Sequence, residues 1–358
     1  MSAAADSCFA DRLLRWFDAH GRHDLPWQRP RSAYRVWLSE VMLQQTQVAT
    51  VVPYFERFVA RLPALPVLAA ADPDIVFSLW SGLGYYSRAR NLHRAARICM
   101  ERHGGELPAD FGALSALPGI GRSTAGAILA QAHGQRWPIL DGNVRRLLSR
   151  WQGIEGWPGE AAVANALWSL AGRLLPQSRM ADYTQAQMDL GATVCTRSRP
   201  RCNACPLRID CVAHATGRVG ELPTPRPRRV RPTRQAVLLW LEDADGRIAM
   251  QRRPGAGVWP GLWSLPDAAD EAQARDWLNA RFAADWSAAE ALPPLRHQFT
   301  HFTLEARPLR LRIDPRPALR AADDPLRWTD PAEFANIGMP APIRRLLHDH
   351  ARARSCTQ

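Results

Sequence analysis

The chain has 358 residues, 46% of them hydrophobic and 22% charged, which is long and apolar enough for two or more domains, each with its own core. No apolar run reaches the length of a membrane span and no signal-peptide hydrophobic region opens the chain, so a cytoplasmic bacterial protein is expected. The net charge is +12 and all 46 basic residues are arginine, which favours a polyanionic partner and excludes chemistry through a lysine Schiff base.

Residues 6 to about 216 read as mostly helical. Phe9, Leu13, Leu14 and Phe17 keep helical spacing, and Leu25-Pro26-Trp27 closes that first element. A strongly apolar run over 34–48 contains Glu40. A carboxylate in such company either turns to a solvated edge or sits in a site that raises its pKa. Further helices are predicted over 73–80, 86–102, 111–117, 125–132, 144–151, 160–174 and 183–194. Between the first two lies Ser81-Gly82-Leu83-Gly84-Tyr85-Tyr86-Ser87-Arg88-Ala89-Arg90, whose glycines, aromatics and arginines suit a loop that meets stacked bases.

The stretch Leu117-Pro118-Gly119-Ile120-Gly121 is a tight turn ahead of an apolar helix. Free N–H groups at such a helix start can hold a phosphate oxygen, giving register on a nucleic acid without reading its sequence. Asp141 follows in Leu140-Asp141-Gly142-Asn143-Val144. It either meets the sugar beside a gripped backbone or simply caps the next helix.

Four of the seven cysteines, Cys195, Cys202, Cys205 and Cys211, fall within seventeen residues. They can enclose one metal centre, and their spacing leaves zinc and an iron–sulfur cluster comparable. Cys8, Cys99 and Cys356 read as plain thiols of a reducing compartment. Residues 218–234 alternate proline with arginine and form an extended basic linker. Beyond it, strands over 236–242, 247–251 and 302–311 with a helix over 271–282 make an α+β domain from about 235 to the end.

Taken together, Trp37-Leu38-Ser39-Glu40-Val41-Met42-Leu43-Gln44-Gln45-Thr46-Gln47, Gly82-Leu83-Gly84-Tyr85-Tyr86, the glycine turn and Leu140-Asp141-Gly142-Asn143-Val144 resemble, in order, the adenine DNA glycosylases (the MutY family) of the helix-hairpin-helix superfamily. The resemblance covers nearly the full length. It implies a multidomain protein: a mostly α glycosylase region over 1–217, with helix-hairpin-helix about 113–132 and iron–sulfur loop 195–211, a linker over 218–234, and a Nudix-like α+β module over 235–358. The cysteine spacing matches the family's four-iron four-sulfur cluster, which decides against zinc.

The same resemblance implies hydrolysis of the N-glycosidic bond of adenine mispaired with 8-oxoguanine or guanine in duplex DNA. Adenine leaves poorly unless protonated as the bond breaks, and the sugar becomes oxocarbenium-like. Two carboxylates of opposed protonation suit such a reaction. Glu40 is the expected general acid, then base for the incoming water; Asp141 stays ionised and stabilises the sugar; Asn143 helps to hold the site. The base must first leave the stack. Gln45 and Tyr85 are assigned to wedging the duplex, Gly119, Gly121 and Ser123 to contacting DNA, and Gln185 to reading the flipped adenine. Ser123 stands where bifunctional relatives carry a lysine, which points to base removal without lysine-dependent strand cleavage.

The C-terminal domain resembles the Nudix fold of MutT near Gly257-Val258-Trp259-Pro260-Gly261-Leu262-Trp263-Ser264-Leu265-Pro266. Its helix has no row of glutamates to hold magnesium, so it reads as a binding module. A family loop that probes 8-oxoguanine is matched by Phe299, Thr300 and His301, with threonine keeping the hydroxyl of a serine and adding a methyl. The expected protein is a monomer that binds DNA and no membrane, nucleoid-associated through that DNA. An endonuclease-III-like glycosylase with lyase activity is disfavoured by the missing lysine, a non-catalytic damage binder by the presence of both Glu40 and Asp141, and a Nudix hydrolase by the absent acidic row.

Overall fold

The structure, a computed structural model, describes residues 3–227, 230–282, 284–313 and 326–355, so Cys356 lies outside the described residues. Two compact units form, one from Met1–Ala70 and Asn91–Arg228, the other from Ala71–Arg90 and Arg229–Gln358. The helices run α1 (Ala3–His20), α2 (Ala33–Leu43), α3 (Val48–Arg61), α4 (Leu65–Ala70), α5 (Pro73–Trp80), α6 (Ser87–Arg102), α7 (Phe111–Ser115), α8 (Arg122–His133), α9 (Gly142–Gln152), α10 (Ala161–Arg173), α11 (Met180–Thr193) and α12 (Val212–Ala215).

In the first unit the helical spacing of the α1 apolar residues becomes one buried face. Phe9, Leu13 and Phe17 pack with Val144, Leu147, Leu148 and Trp151 of α9 and with Tyr183, Ala186 and Leu190 of α11. Phe9 meets Trp151 edge to face at 4.7 Å. Each such side chain contributes about 1.5–3 kcal/mol on leaving water, so this cluster fixes the relative placement of α9 and α11, which carry much of the site.

The apolar run over 34–48 is interrupted. Ser32 caps α2 by accepting the Arg35 N–H at 3.3 Å, the helix stops at Leu43, and Gln45 takes a left-handed φ of 60° before α3 begins. Helix α3 is not among the predicted helices; Pro53 lies inside it and removes one backbone donor, yet Val51, Phe55 and Phe58 still bury one face. At the glycine turn, Gly119 has φ +80°, and a Cβ there would stand 2.9 Å from Cβ of Asn91. Glycine is required at that position on both counts. Helix α8 then starts at Gly121 without a side-chain cap.

The second unit is built on a mixed sheet. Strands β1 (Thr233–Glu242) and β7 (Thr303–Arg312) run parallel, in register from Thr233 opposite Thr303 to Glu242 opposite Arg312. With β2 (Ile248–Arg252), β3 (Trp263–Ser264) and β5 (Glu290–Ala291) the order is β3-β2-β1-β7-β5. Strands β4 (Asp267–Ala268), β6 (Leu295–Gln298) and β8 (Leu326–Thr329) pair with β1, β7 and β2 respectively. Helix α13 (Glu271–Asn279) buries Ala274 and Leu278 against Val237, Leu239 and Leu309 of the sheet, and α14 (Ala341–Ser355) follows later.

Helix α5, the loop over 81–86 and the first turn of α6 belong to this second unit although they fall inside the helical part of the sequence. Asp74 accepts from Trp263 Nε1 at 3.2 Å, Tyr86 Oη donates to the Met339 carbonyl at 2.9 Å, and Arg90 Nη2 donates to the Pro260 carbonyl at 2.5 Å. Among the described residues no helix is long and apolar enough to cross a membrane.

Candidate active site

Glu40 sits on α2 between the buried residues Ser39 and Val41. It opens onto a cleft of ≈ 960 Å³ in the first unit whose lining includes Gln45, Ser123, Asp141, Asn143 and Gln185. Protein surrounds the carboxyl on every side but the cleft. Burial first, and the negative charge of Asp141 second, push its pKa up to about 7. The opposing influence is Gln131, a polar residue within the apolar α8, whose Nε2 donates to Glu40 Oε1 at 3.2 Å.

Asp141 caps α9: its Oδ1 accepts the Val144 N–H at 2.8 Å. Capping and lining the cleft are roles of the same carboxylate. Burial raises its pKa above the usual carboxylate value, and the Val144 and Asn143 N–H groups and the guanidinium groups of Arg146 and Arg145 offset that rise only in part. The two acids therefore differ in support: Glu40 has one neutral amide donor, Asp141 two main-chain donors and two cations.

Asn143 Oδ1 accepts from Arg146 Nη2 at 2.8 Å, and the same guanidinium donates to the carbonyls of Gly191 and Cys195, each at 2.7 Å. Glycine at 191 lets α11 approach α9 here, since a Cβ would come 2.6 Å from Cβ of Asn143. Ser123 Oγ accepts the Leu140 N–H at 2.9 Å, tying the segment before Asp141 to α8. Gln185 on α11 is 3% exposed and donates through Nε2 to Asp189 Oδ1 at 2.7 Å. Asp189 in turn accepts from Arg22 through its main-chain N at 2.7 Å, Nε at 2.9 Å and Nη2 at 2.6 Å. Sequence reasoning missed Arg22, Gln131, Arg146 and Asp189. Asp189 had a readable signal, a carboxylate on the buried stripe of α11.

Gly119 and Gly121 form the turn before α8, and nothing lies within 4 Å of a Cβ built on Gly121, so the main chain there is open to approach. Tyr85 lies in the second unit, 49% exposed, with φ 49° and the Arg88 guanidinium 5.5 Å from its ring centroid. A left-handed conformation costs a non-glycine residue about 1–2 kcal/mol, and both residues read as wedges, Gln45 and Tyr85, adopt it.

Cys195, Cys202, Cys205 and Cys211 are free thiols lining one cavity with Leu147, Trp151, Val194 and Leu207. Arg150 Nη1 lies 3.4 Å from Cys195 Sγ. Burial pushes the Cys205 thiol up to about 12, partly offset by the Leu207 N–H, and the main-chain N–H groups of His214 and Ala213 point at Cys211.

In the second unit Phe299 stacks on Phe302 at 4.6 Å and meets His297 edge-on at 4.6 Å. Trp259, itself at φ 50°, stands 5.7 Å from Phe299, and Arg234 covers Phe302 at 4.3 Å. Thr300 and His301 are exposed at the tip between β6 and β7.

This fold and cleft define a helix-hairpin-helix base-excision enzyme. Residues 38–173 match the HhH-GPD superfamily of base excision DNA repair proteins, and residues 237–349 match the NUDIX domain. A solved thermostable thymine-DNA glycosylase superposes with a TM-score of 0.55 at 25% identity, covering 60% of this chain and 98% of that one. The adenine DNA glycosylase of Buchnera aphidicola (from Acyrthosiphon pisum) is 32% identical over 95% of this chain and 97% of its own length. That of Rattus norvegicus is 35% identical over 97% of this chain and 79% of its own. The chain belongs to the adenine DNA glycosylase family and is an enzyme of base excision repair acting on DNA.

Proposed function

We propose that the protein is a monofunctional glycosylase that hydrolyses adenine from duplexes in which it faces 8-oxoguanine or guanine. The observation that carries this reading is the pair of acids, Glu40 and Asp141, on different elements of one cleft with unequal hydrogen-bond and charge support. As a coupled pair they share their titration, and the better-supported Asp141 loses the first proton. Glu40 then keeps a proton near neutral pH and delivers it to a ring nitrogen of the extruded adenine as the C–N bond breaks. Asp141 stabilises the cationic sugar, and Glu40, now ionised, takes a proton from the attacking water. Asn143, held by Arg146, keeps Asp141 in place. Ser123 takes the position of a lysine nucleophile, and the chain has no lysine to form a Schiff base.

Gln45 and Tyr85 are the wedges, their strained backbones fixing exposed side chains in place. The open turn at Gly119 and Gly121 holds a phosphate through main-chain N–H groups. Gln185 reads the adenine, and Phe299, Thr300 and His301, backed by the aromatic cluster at Trp259, read 8-oxoguanine. The inferred division of labour is a glycosylase region over 1–217, a basic linker over 218–234 and a recognition module over 235–358, working as a monomer in the cytoplasm.

Cys195, Cys202, Cys205 and Cys211 are the residues that would hold a four-iron four-sulfur cluster. Among the described residues no three His, Cys, Asp or Glu side chains converge on a single ion, whereas the four thiols ring an apolar cavity. Main-chain N–H groups directed at Cys205 and Cys211 and the Arg150 guanidinium beside Cys195 supply donors to the sulfurs a cluster would use, against burial that raises the free Cys205 and Cys211 thiols. Bound there, a cluster would tie the four cysteines of the 195–211 loop to one another. The decisive assay is single-turnover release of adenine opposite 8-oxoguanine, scored with and without alkali; nicking without alkali refutes the monofunctional reading.

A further inference from the structure

Gln185 has one unused group. Its Oε1 is buried and has no hydrogen-bond partner among the described residues, while its Nε2 is committed to Asp189. Which end of a glutamine amide faces which way is settled by its neighbours. Here the neighbour is a carboxylate that already accepts three N–H groups from Arg22, and an ionised carboxylate can only accept. Asp189 is 1% exposed, and every group that faces its oxygens in the structure, the Arg22 main-chain N, Nε and Nη2 and the Gln185 amide, approaches as a donor. Gln185 must therefore turn its NH2 to Asp189 and its carbonyl oxygen away from it, as an acceptor with no freedom to flip into a donor. An unpaired acceptor buried in the wall of a cleft favours a ligand that supplies a donor there, because its desolvation is otherwise uncompensated.

The geometry points to Asp189, clamped by Arg22, as the positioning residue that sets base specificity: it locks Gln185 as an obligate acceptor, which welcomes the exocyclic amino group of adenine and repels purines with a carbonyl at that ring carbon. This rests on the reading of Gln185 as the residue that faces the flipped base, and adds what fixes the polarity of that contact. Asp189 is not among the residues that line the cleft, so the role assigned to it is exerted through Gln185, which is.

The test compares single-turnover excision of adenine and of hypoxanthine, which carries a carbonyl in place of the amino group, from otherwise identical duplexes opposite 8-oxoguanine. Asp189→Asn gives position 189 a donor and frees the glutamine amide to rotate, so the wild-type preference for adenine over hypoxanthine should narrow at least about tenfold, the scale of one buried hydrogen bond. In the double variant Asp189→Asn/Gln185→Glu the asparagine donates and the glutamate accepts, which restores acceptor-only character at 185; the preference should return toward wild type. Gln185→Leu, which leaves the Asp189–Arg22 pair intact, should narrow the preference in the same direction and serves if the Asp189 variants fail to fold. Equal loss of both rates in Asp189→Asn, or no recovery in the double variant, overturns the role of Asp189 as specificity setter and leaves it a structural brace. A wild-type preference retained in Gln185→Leu shows instead that Gln185 does not face the base, and so refutes the reading beneath it.

Discussion

The substitution Glu40→Gln should make the protein more stable while abolishing base release. The carboxyl moves from 4.5 to about 7 on folding, chiefly through burial. At about 1.4 kcal/mol per pH unit, holding it as a carboxylate costs the fold about 3 kcal/mol as an upper bound, because one side faces the cleft. The sign follows from proton uptake: between 4.5 and about 7 the folded state binds more protons than the unfolded one, so stability falls as pH rises across that window. Glutamine has no such term and can still accept from Gln131 through its own Oε1. The stability advantage of the variant should therefore be about 1 kcal/mol at pH 5 and grow to about 3 kcal/mol at pH 8. Urea unfolding of both proteins at the two pH values, followed by circular dichroism, measures this difference. A gap independent of pH, or a variant weaker at pH 8, refutes the account of Glu40 as a carboxyl held protonated by burial. In the same preparations wild-type excision should decline as pH rises through about 7, the value to which the acid is raised, and the variant should bind duplex normally without releasing adenine.

Cys202→Ser should lose the broad visible absorbance of an iron–sulfur protein together with its iron content; a wild type that is colourless and binds zinc contradicts the cluster. Gly119→Ala forces a side chain into φ +80° against Asn91, costing at least about 1–2 kcal/mol; duplex affinity should fall with it, and unchanged binding in a retardation assay would remove the turn from the DNA interface. Trp259→Ala strips the support behind Phe299 and should lower second-unit stability by about 3–5 kcal/mol, read by denaturant unfolding. The same variant should lessen the preference for adenine opposite 8-oxoguanine over guanine, and an unaltered preference would count against Phe299 and its neighbours as the readers of that base.

What the sequence made legible was set by how local the physics is. Glu40 stood out because its apolar neighbours are adjacent in the chain, and Asp141 because the cap and the helix it starts are adjacent too. The two readings of Asp141 were posed as rivals; the cap is present in the structure, and the same side chain also lines the cleft. The break after Leu43 falls in the polar run Gln44-Gln45-Thr46-Gln47, which reads equally as an exposed helical stretch, and only the left-handed backbone at Gln45 shows the turn. Helix α3, with Pro53 inside it, went unread, and strands such as β3 and β4, two residues each, are too short for any alternation to register. Arg22 and Asp189 lie 167 residues apart. Neither has local company that announces the other, and only the packing of α11 brings them together.

The membership of α5 in the sheet-bearing unit bears on how this chain can be dissected. Phe77 and Tyr86 are buried, with Gly338 against Phe77 and the Met339 carbonyl accepting from Tyr86, while Trp263 donates to Asp74 on the same helix as Phe77. A fragment cut at the basic linker would keep the aromatic residues and discard their cover, leaving their apolar faces bare. Loss of activity in such a fragment would then report a damaged loop around Tyr85 as much as a missing reader of the opposite strand. Point changes at Phe299 or Trp259 are the cleaner instrument for separating the two.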